Sequence, residues 1–328
     1  MGQRVVVTMA IPQCGVDVLE GAGVLVEGAE GRAPMPRDEL VARVGGCDGL
    51  LCMLADRIDA ALLDAAPGLK GVANFAVGID NIDVAAATAR GIPVTNTPGV
   101  LTEATAELAW ALILAAARRV VEGDRLVRGG GFTGWAPTLL QGLQLGGATL
   151  GIVGAGRIGT ATGLRAKAFG MRVLYFDRSA SEGLDADGAR RVGLDELLRA
   201  SDVVSVHLPL TDETRHLLGA SAFAAMKPGA ILVNTGRGAI LDEAALVAAL
   251  REGRLAAAGL DVYEHEPALS PGLAELDNVV VLPHLGSATM ATRDRMATMA
   301  AESLVAMLAG RRPENLVNPE VFDETRPG

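Results

Sequence analysis

Three stretches of this 328-residue chain end an apolar, strand-like run on polar side chains that core packing does not require. ILVNTGRG at 231–238 sets Arg237 between two glycines, LDVYEHEP at 260–267 carries Asp261 and Glu266, and VLPHLGS at 281–287 carries His284. In an open α/β sheet the carboxyl ends of the strands face the ligand crevice, so residues just past those ends can converge on one bound group. Their types suit the reduction of a 2-keto acid. The planar fork of Arg237 can bind a carboxylate and polarise the keto oxygen. His284 can donate a proton while a nicotinamide delivers hydride, and a neighbouring Glu266 carboxylate can orient the ring and favour its protonated form.

Each residue also has a bland role open to it. Arg237 could cap a helix, Glu266 before Pro267 could be an exposed turn residue, and His284 could cap a strand. His265 competes for the acid role but lies in the charged run YEHEP, where solvation is expected. His207 follows another strand and is expected to line a cofactor cleft by its backbone; His216 belongs to a polar turn. With four histidines, no H-E-x-x-H and no cysteine pair, no metal site is expected.

A hydride donor needs a place to bind. In LGIVGAGRIG at 150–159, Gly154, Gly156 and Gly159 give G-x-G-x-x-G after an apolar run and at the start of a helical pattern. The spacing suits a tight turn, a close backbone approach to a pyrophosphate and close helix–strand packing. Asp177 ends the next strand-like run, where a carboxylate accepts both ribose hydroxyls and repels a 2′-phosphate. Arg178 beside it could pair with such a phosphate, so NAD is favoured over NADP without excluding it.

The elements that must position these groups form two series. Short apolar, β-branched runs at 4–9, 49–54, 71–76 and 92–96 alternate with helical segments, and a second βαβ series runs from 148 to 284. Length and pattern together indicate an α/β protein of two domains with doubly wound parallel sheets. The closing amphipathic helix at 292–310 is expected to cross back to the first domain. The run at 104–117 contains Glu107 and is too short for an ordinary membrane span, so a buried helix is expected.

Composition narrows the partners. A net charge of −10 and 3% aromatic residues argue against a nucleic-acid surface. Cys14, Cys47 and Cys52 are odd in number and lie in apolar surroundings, which points to buried thiols in a reducing compartment. The N-terminal residues carry no recognisable address, so a cytoplasmic protein is expected.

Taken together, these motifs resemble the D-isomer-specific 2-hydroxyacid dehydrogenase family. GAGRIG with Asp177, MKPGAILVNTGRG, LDVYEHEP and PHLGS stand in the family's order and at its spacings. NFAVGIDNIDVAAATARGIPVTNTPGVLTEATAELAWALIL looks like its first-domain and hinge segment, so the resemblance covers nearly the whole chain. Within the family the chain is most similar to the glyoxylate and hydroxypyruvate reductases.

The resemblance implies Rossmann-like and flavodoxin-like domains, with a cofactor domain at 100–287 inserted into a discontinuous substrate domain at 1–99 and 288–328. It implies that Arg237, Glu266 and His284 are catalytic, and that Val77 and Gly78 amides, with Leu54, Arg237, His284 and Ser287, hold the substrate. Cofactor contacts fall on Gly154, Gly156, Arg157, Ile158, Gly159, Asp177 and Arg178. Further contacts fall on Thr105, His207, Pro209, Thr235, Gly236, Asp261, His284 and Gly286. Trp135 matches a position that reaches into a partner subunit's site, which implies a homodimer.

Two positions depart from the family pattern. Gly236 stands where alanine or serine is commoner, so a looser turn before Arg237 is expected. Met53 stands where phosphoglycerate dehydrogenases of the family carry an arginine. Without that arginine, and with no regulatory domain expected after residue 328, a phosphorylated substrate loses support. The expected activity is NADH-dependent reduction of glyoxylate or hydroxypyruvate. The alternatives are another D-2-hydroxyacid dehydrogenase, acting on D-3-phosphoglycerate, D-lactate or a branched keto acid, and a non-catalytic NADH-sensing corepressor.

Overall fold

The computed structural model describes residues 2–28 and 33–323. The chain divides into two units, Met1–Leu101 with Ala288–Gly328, and Thr102–Ser287. In the first unit β1 (Arg4–Val7), α1 (Gln13–Gly21), β2 (Leu25–Gly28), α2 (Arg37–Val44) and β3 (Gly49–Cys52) alternate strictly. They are followed by α3 (Ala60–Asp64), β4 (Val72–Asn74), α4 (Val84–Ala89) and β5 (Val94–Thr95). The sheet is parallel throughout, in the order β2-β1-β3-β4-β5. Its inner strands need apolar residues on both faces because helices cover both, and β3 and β4 are buried along their whole length. Asp59 and Asp83 start α3 and α4 by accepting the Leu62 and Ala86 amides, the usual use of an aspartate before a helix.

The second unit opens with α5 (Thr102–Ala117) and α6 (Val120–Arg128). It continues through β6 (Thr149–Val153), α7 (Arg157–Arg165), β7 (Arg172–Phe176), α8 (Glu182–Ala186), β8 (Arg190–Arg191), α9 (Leu194–Ala200) and β9 (Val203–Val206). It closes with α10 (Ala220–Ala225), β10 (Ala230–Asn234), α11 (Glu243–Arg251), β11 (Leu255–Leu260) and β12 (Val279–Val281). These strands form a seven-stranded parallel sheet, β12-β11-β10-β9-β6-β7-β8. The order reverses between β6 and β9, and such a reversal opens the crevice in which doubly wound sheets bind nucleotides.

The apolar run at 104–117 lies within α5, which packs on β10, β11 and β12. A Cβ added at Gly259 on β11 would stand 2.9 Å from Leu112 Cβ, so glycine there lets the helix approach the strand closely. Among the described residues no helix is long and apolar enough to cross a membrane. The last helix, α12 (Met290–Leu308), packs Ala300, Ala301, Leu304 and Met307 against Val5, Val7, Leu51 and Ala73 of the first unit's sheet. Cys47 and Cys52 are buried as expected, whereas Cys14 on α1 is half-buried because that face of the short helix is only partly covered.

Candidate active site

The glycine loop joins β6 to α7 at the switch point. Gly154 has φ 97°, and a Cβ there would lie 2.9 Å from the backbone of His207 and Leu208, which follow β9. A Cβ at Gly159 would lie 1.9 Å from the Gly154 carbonyl oxygen, so both positions need glycine. Gly156 differs: nothing lies within 4 Å of its Cβ position, and as the N-cap of α7 it offers no side chain to the first amides of the helix. Amides at Arg157 and Ile158 beside open space fit a pyrophosphate. Across the loop, Asp177 Oδ2 accepts the Ala155 amide at 2.8 Å and Oδ1 the Ser179 amide at 3.2 Å. Its carboxylate is thereby fixed at the end of β7, beside the glycine loop.

The second centre lies past β10, β11 and β12. His284 Nδ1 and Glu266 Oε2 are 2.9 Å apart, and Glu266 Oε1 accepts the Tyr263 amide at 3.0 Å. Burial alone would raise the Glu266 carboxyl. The His284 hydrogen bond and charge, the Tyr263 amide and the nearby Arg237 outweigh it and hold the group below its ordinary range. Arg237 follows β10 in a turn closed by one side chain: Asn234 Oδ1 accepts the Gly236 amide at 2.9 Å, and Asn234 Nδ2 donates to the Arg237 carbonyl at 2.9 Å. The looser turn expected from Gly236 is therefore absent. A Cβ at 236 would come within 3.0 Å of the Leu208 carbonyl oxygen, and at Gly238 within 1.8 Å of the Tyr263 carbonyl carbon.

His284 adopts φ 54°, a conformation uncommon for a residue with a Cβ. Asp261 imposes it. The Asp261 carbonyl accepts the His284 amide at 3.0 Å, and its two carboxylate oxygens accept the Leu285 and Gly286 amides at 2.6 and 2.8 Å. Burial pushes the Asp261 carboxyl up, which those amides and the His284 charge only partly offset. Thr105 on α5 donates its hydroxyl to the Gly286 carbonyl at 3.0 Å, holding the next peptide. Ser287 follows directly.

Around the glycine loop, His207 contacts Ser205 Oγ through Nε2 at 2.9 Å and Thr235 Oγ1 through Nδ1 at 3.3 Å. Burial drives its ring down to about 3, so it stays neutral. Pro209 continues the same loop and accepts the Thr214 hydroxyl on its carbonyl. Arg157 and Arg178 are exposed, Ile158 is half-buried and Thr235 is buried. Trp135 is 84% exposed, in a stretch from 127 to 139 without one buried residue. His265 is exposed, and His216 Nε2 is 2.6 Å from Glu264 Oε1.

In the first unit, Leu54 lies in the turn after β3, and Val77 and Gly78 in the loop after β4. Neither the Val77 nor the Gly78 amide has a protein acceptor among the described residues. Asn81 Nδ2 donates to the Met53 and Asp56 carbonyls at 3.0 and 3.1 Å, and Asn74 Nδ2 to the Gly78 carbonyl at 2.8 Å and Asn81 Oδ1 at 3.1 Å. Asp56 Oδ2 takes the Met53 amide at 2.7 Å and the Thr8 hydroxyl; burial pushes its carboxyl up. Sequence reasoning missed Asn74, Asn81, Asn234 and Tyr263. The available signal was an asparagine at or just past the end of an apolar strand, where backbone groups leave the ladder.

A cavity of about 540 Å³ lies at the amino ends of β6 and β7, lined by Thr149, Lys167, Arg172 and Arg190 among others. That is the opposite end of the sheet, and Lys167 and Arg190 are engaged by Asp187 and Glu196. Among the described residues no cluster of histidine, cysteine or carboxylate could hold a metal ion.

A doubly wound sheet with this glycine loop and a histidine–carboxylate pair beside an arginine defines a nicotinamide-dependent oxidoreductase. The profile of the D-isomer specific 2-hydroxyacid dehydrogenase, NAD binding domain, matches residues 110–286, and the chain belongs to that family. It acts on the CH–OH group of 2-hydroxy acids and uses NAD. The chain is similar to the glyoxylate reductase of Aeropyrum pernix, at 57% identity over 302 residues covering 90% of each chain. A crystal structure of a Thermus thermophilus protein superposes with a TM-score of 0.91 at 51% identity, covering 96% of this chain and 100% of that one. The NADPH-dependent glyoxylate/hydroxypyruvate reductase of Sinorhizobium meliloti, in complex with NADP and malonate, gives 0.87 at 35% identity with both chains fully covered.

Proposed function

We propose that this enzyme reduces glyoxylate to glycolate and hydroxypyruvate to D-glycerate with NADH. The observation that carries the reading is the Glu266–His284 pair beside Arg237, in a chain 57% identical to a glyoxylate reductase. Gly154, Gly156, Gly159 and Asp177 would hold the dinucleotide, with the Arg157 and Ile158 amides at its pyrophosphate. When bound, the nicotinamide supplies the hydride.

The chain's own residues do the rest. Amides of Val77 and Gly78, with Leu54 beside them, bind the carboxylate, and Arg237 binds it and polarises the keto oxygen. Because Glu266 engages Nδ1, the proton available for transfer sits on His284 Nε2, and it moves to the keto oxygen. The resulting carboxylate–imidazole pair awaits a proton from solvent. Asp261 keeps the histidine backbone in its left-handed conformation throughout.

The fixed carboxylate of Asp177 favours a ribose diol over a 2′-phosphate, and so favours NADH. The exposed apolar residues Val127, Phe132, Trp135 and Leu139 support a homodimer in which Trp135 reaches the partner's substrate. Free Cys14, Cys47 and Cys52 support a reducing, cytoplasmic setting. Oxidation of NADH, followed by absorbance with glyoxylate and then hydroxypyruvate, tests the reading; no turnover with either contradicts it.

A further inference from the structure

Two consecutive amides can bind one anion only if both point the same way, and in this loop a side chain outside it fixes that direction. A trans peptide sets its N–H opposite its C=O. The Ala76 carbonyl accepts the Thr97 amide at 2.8 Å, so the Val77 N–H points away from the β5 end of the sheet. The Val77 carbonyl accepts Asn96 Nδ2 at 2.7 Å, so the Gly78 N–H points the same way. Asn96 is itself held, because its carbonyl accepts Asn315 Nδ2, and Asn315 Oδ1 accepts the hydroxyl of Ser303 on α12 at 2.8 Å.

Among the described residues, the plane that bears the Gly78 amide has no other anchor on its carbonyl. The loop runs through Phe75, Ala76 and Val77 without regular structure, and a glycine follows. Rotation of the Val77–Gly78 peptide would turn a carbonyl oxygen toward the anion in place of an N–H. Asn74 fixes the next peptide by donating to the Gly78 carbonyl at 2.8 Å.

We infer that Asn96 is a positioning residue for substrate: its amide donor on the Val77 carbonyl sets the polarity of the Val77–Gly78 amide pair that receives the substrate carboxylate. The inference rests on the proposed role of those two amides. On this reading Asn96 acts through the Val77 peptide and not on the reacting atoms, so its loss acts on keto-acid binding and leaves proton and hydride transfer largely intact.

Asn96→Asp tests it with almost no change of shape, since an acceptor then faces the Val77 carbonyl; Asn96→Ala removes the donor without adding repulsion. The expected result is a rise in KM for glyoxylate of about 10- to 100-fold in the aspartate variant and less in the alanine variant, the size expected for losing hydrogen bonds to a charged group. The kcat is expected to fall no more than about threefold, with KM for NADH unchanged. In parallel, the Val77 and Gly78 amide resonances of the ¹⁵N-labelled wild-type enzyme, saturated with NADH, are followed during titration with oxamate. Shifts at both amides in wild type, together with a KM within twofold of wild type in both variants, would overturn the role of Asn96 alone. No shift at either amide in wild type would overturn the carboxylate site and this inference with it.

Discussion

His284 Nδ1 lies 2.9 Å from Glu266 Oε2, and the same histidine holds a backbone φ of 54° because Asp261 takes the amides of His284, Leu285 and Gly286. One acidic residue thus aims the ring through the backbone and another through its nitrogen. Strain of this kind persists only where surrounding bonds over-determine it, and it concentrates at functional positions. His284→Ala is expected to lower kcat by about 10²- to 10⁴-fold, the range of a general acid, with NADH affinity within a fewfold of wild type. Steady-state kinetics with a fluorescence titration of NADH separate the two effects.

Glu266→Gln keeps the shape of the pair and removes its charge. Its kcat is expected to fall by at least about tenfold, because the ring loses the carboxylate that orients it and faces its Nδ1. The pH profile of kcat should change shape as well as height. A profile that kept the wild-type form at a uniformly lower rate would mean that Glu266 only packs.

Stability should weaken on the acid side for two identifiable reasons. Glu266 is held below its ordinary pKa, so its contribution is present above the unfolded value of about 4.3 and is lost as pH falls through the folded one. His207 is driven down to about 3 by burial. The unfolded chain therefore takes a proton near pH 6.5 that the folded chain refuses, and stability falls from there toward pH 3. Melting temperature against pH for wild type, Glu266→Gln and His207→Gln should show a flatter acid limb in both variants. A His207→Gln curve parallel to wild type between pH 6.5 and 4 contradicts this origin.

Asp177→Ser removes the negative charge beside the expected ribose while leaving a hydroxyl for the diol. The ratio of kcat/KM for NADPH to that for NADH is expected to rise by about 10- to 100-fold, on the scale of one short-range charge contact. An unchanged ratio would place the choice of cofactor elsewhere, with Arg178 the first residue to replace.

Gly238→Ala should be among the most damaging single changes near Arg237. The added Cβ would meet the Tyr263 carbonyl carbon at 1.8 Å, a backbone contact that no rotamer relieves. Overpacking of this sort costs about 1–3 kcal/mol, occasionally more, and it would separate the β10 turn from the segment carrying Glu266. A fall in melting temperature accompanied by loss of turnover is expected; a wild-type melting curve would show that the two segments part freely.

Much of this site was legible in the sequence because strand ends are conspicuous. Arg237, Glu266 and His284 each interrupt an apolar run, and the glycine spacing lies where a strand meets a helix. What stayed hidden acts on backbone groups. Asn74, Asn81, Asn96 and Asn234 each satisfy or orient a peptide across a loop, and nothing in residue type alone says which carbonyl an asparagine will find. Gly236 read as a weak point because its missing side chain was visible and the Asn234 bridge was not. Gly238 read as a flank of Arg237, although the Tyr263 backbone is what excludes a side chain. Trp135 is the reverse case: the family pattern implied a role, while its own unit leaves it 84% exposed.

The most direct measurement is kcat/KM for glyoxylate, hydroxypyruvate, pyruvate and 3-phosphohydroxypyruvate, each with NADH and with NADPH. The expected result is a clear preference for glyoxylate and hydroxypyruvate with NADH, in keeping with an uncharged Met53 just past β3 and a carboxylate at Asp177. A preference for the phosphorylated acid, or equal use of all four, would contradict it.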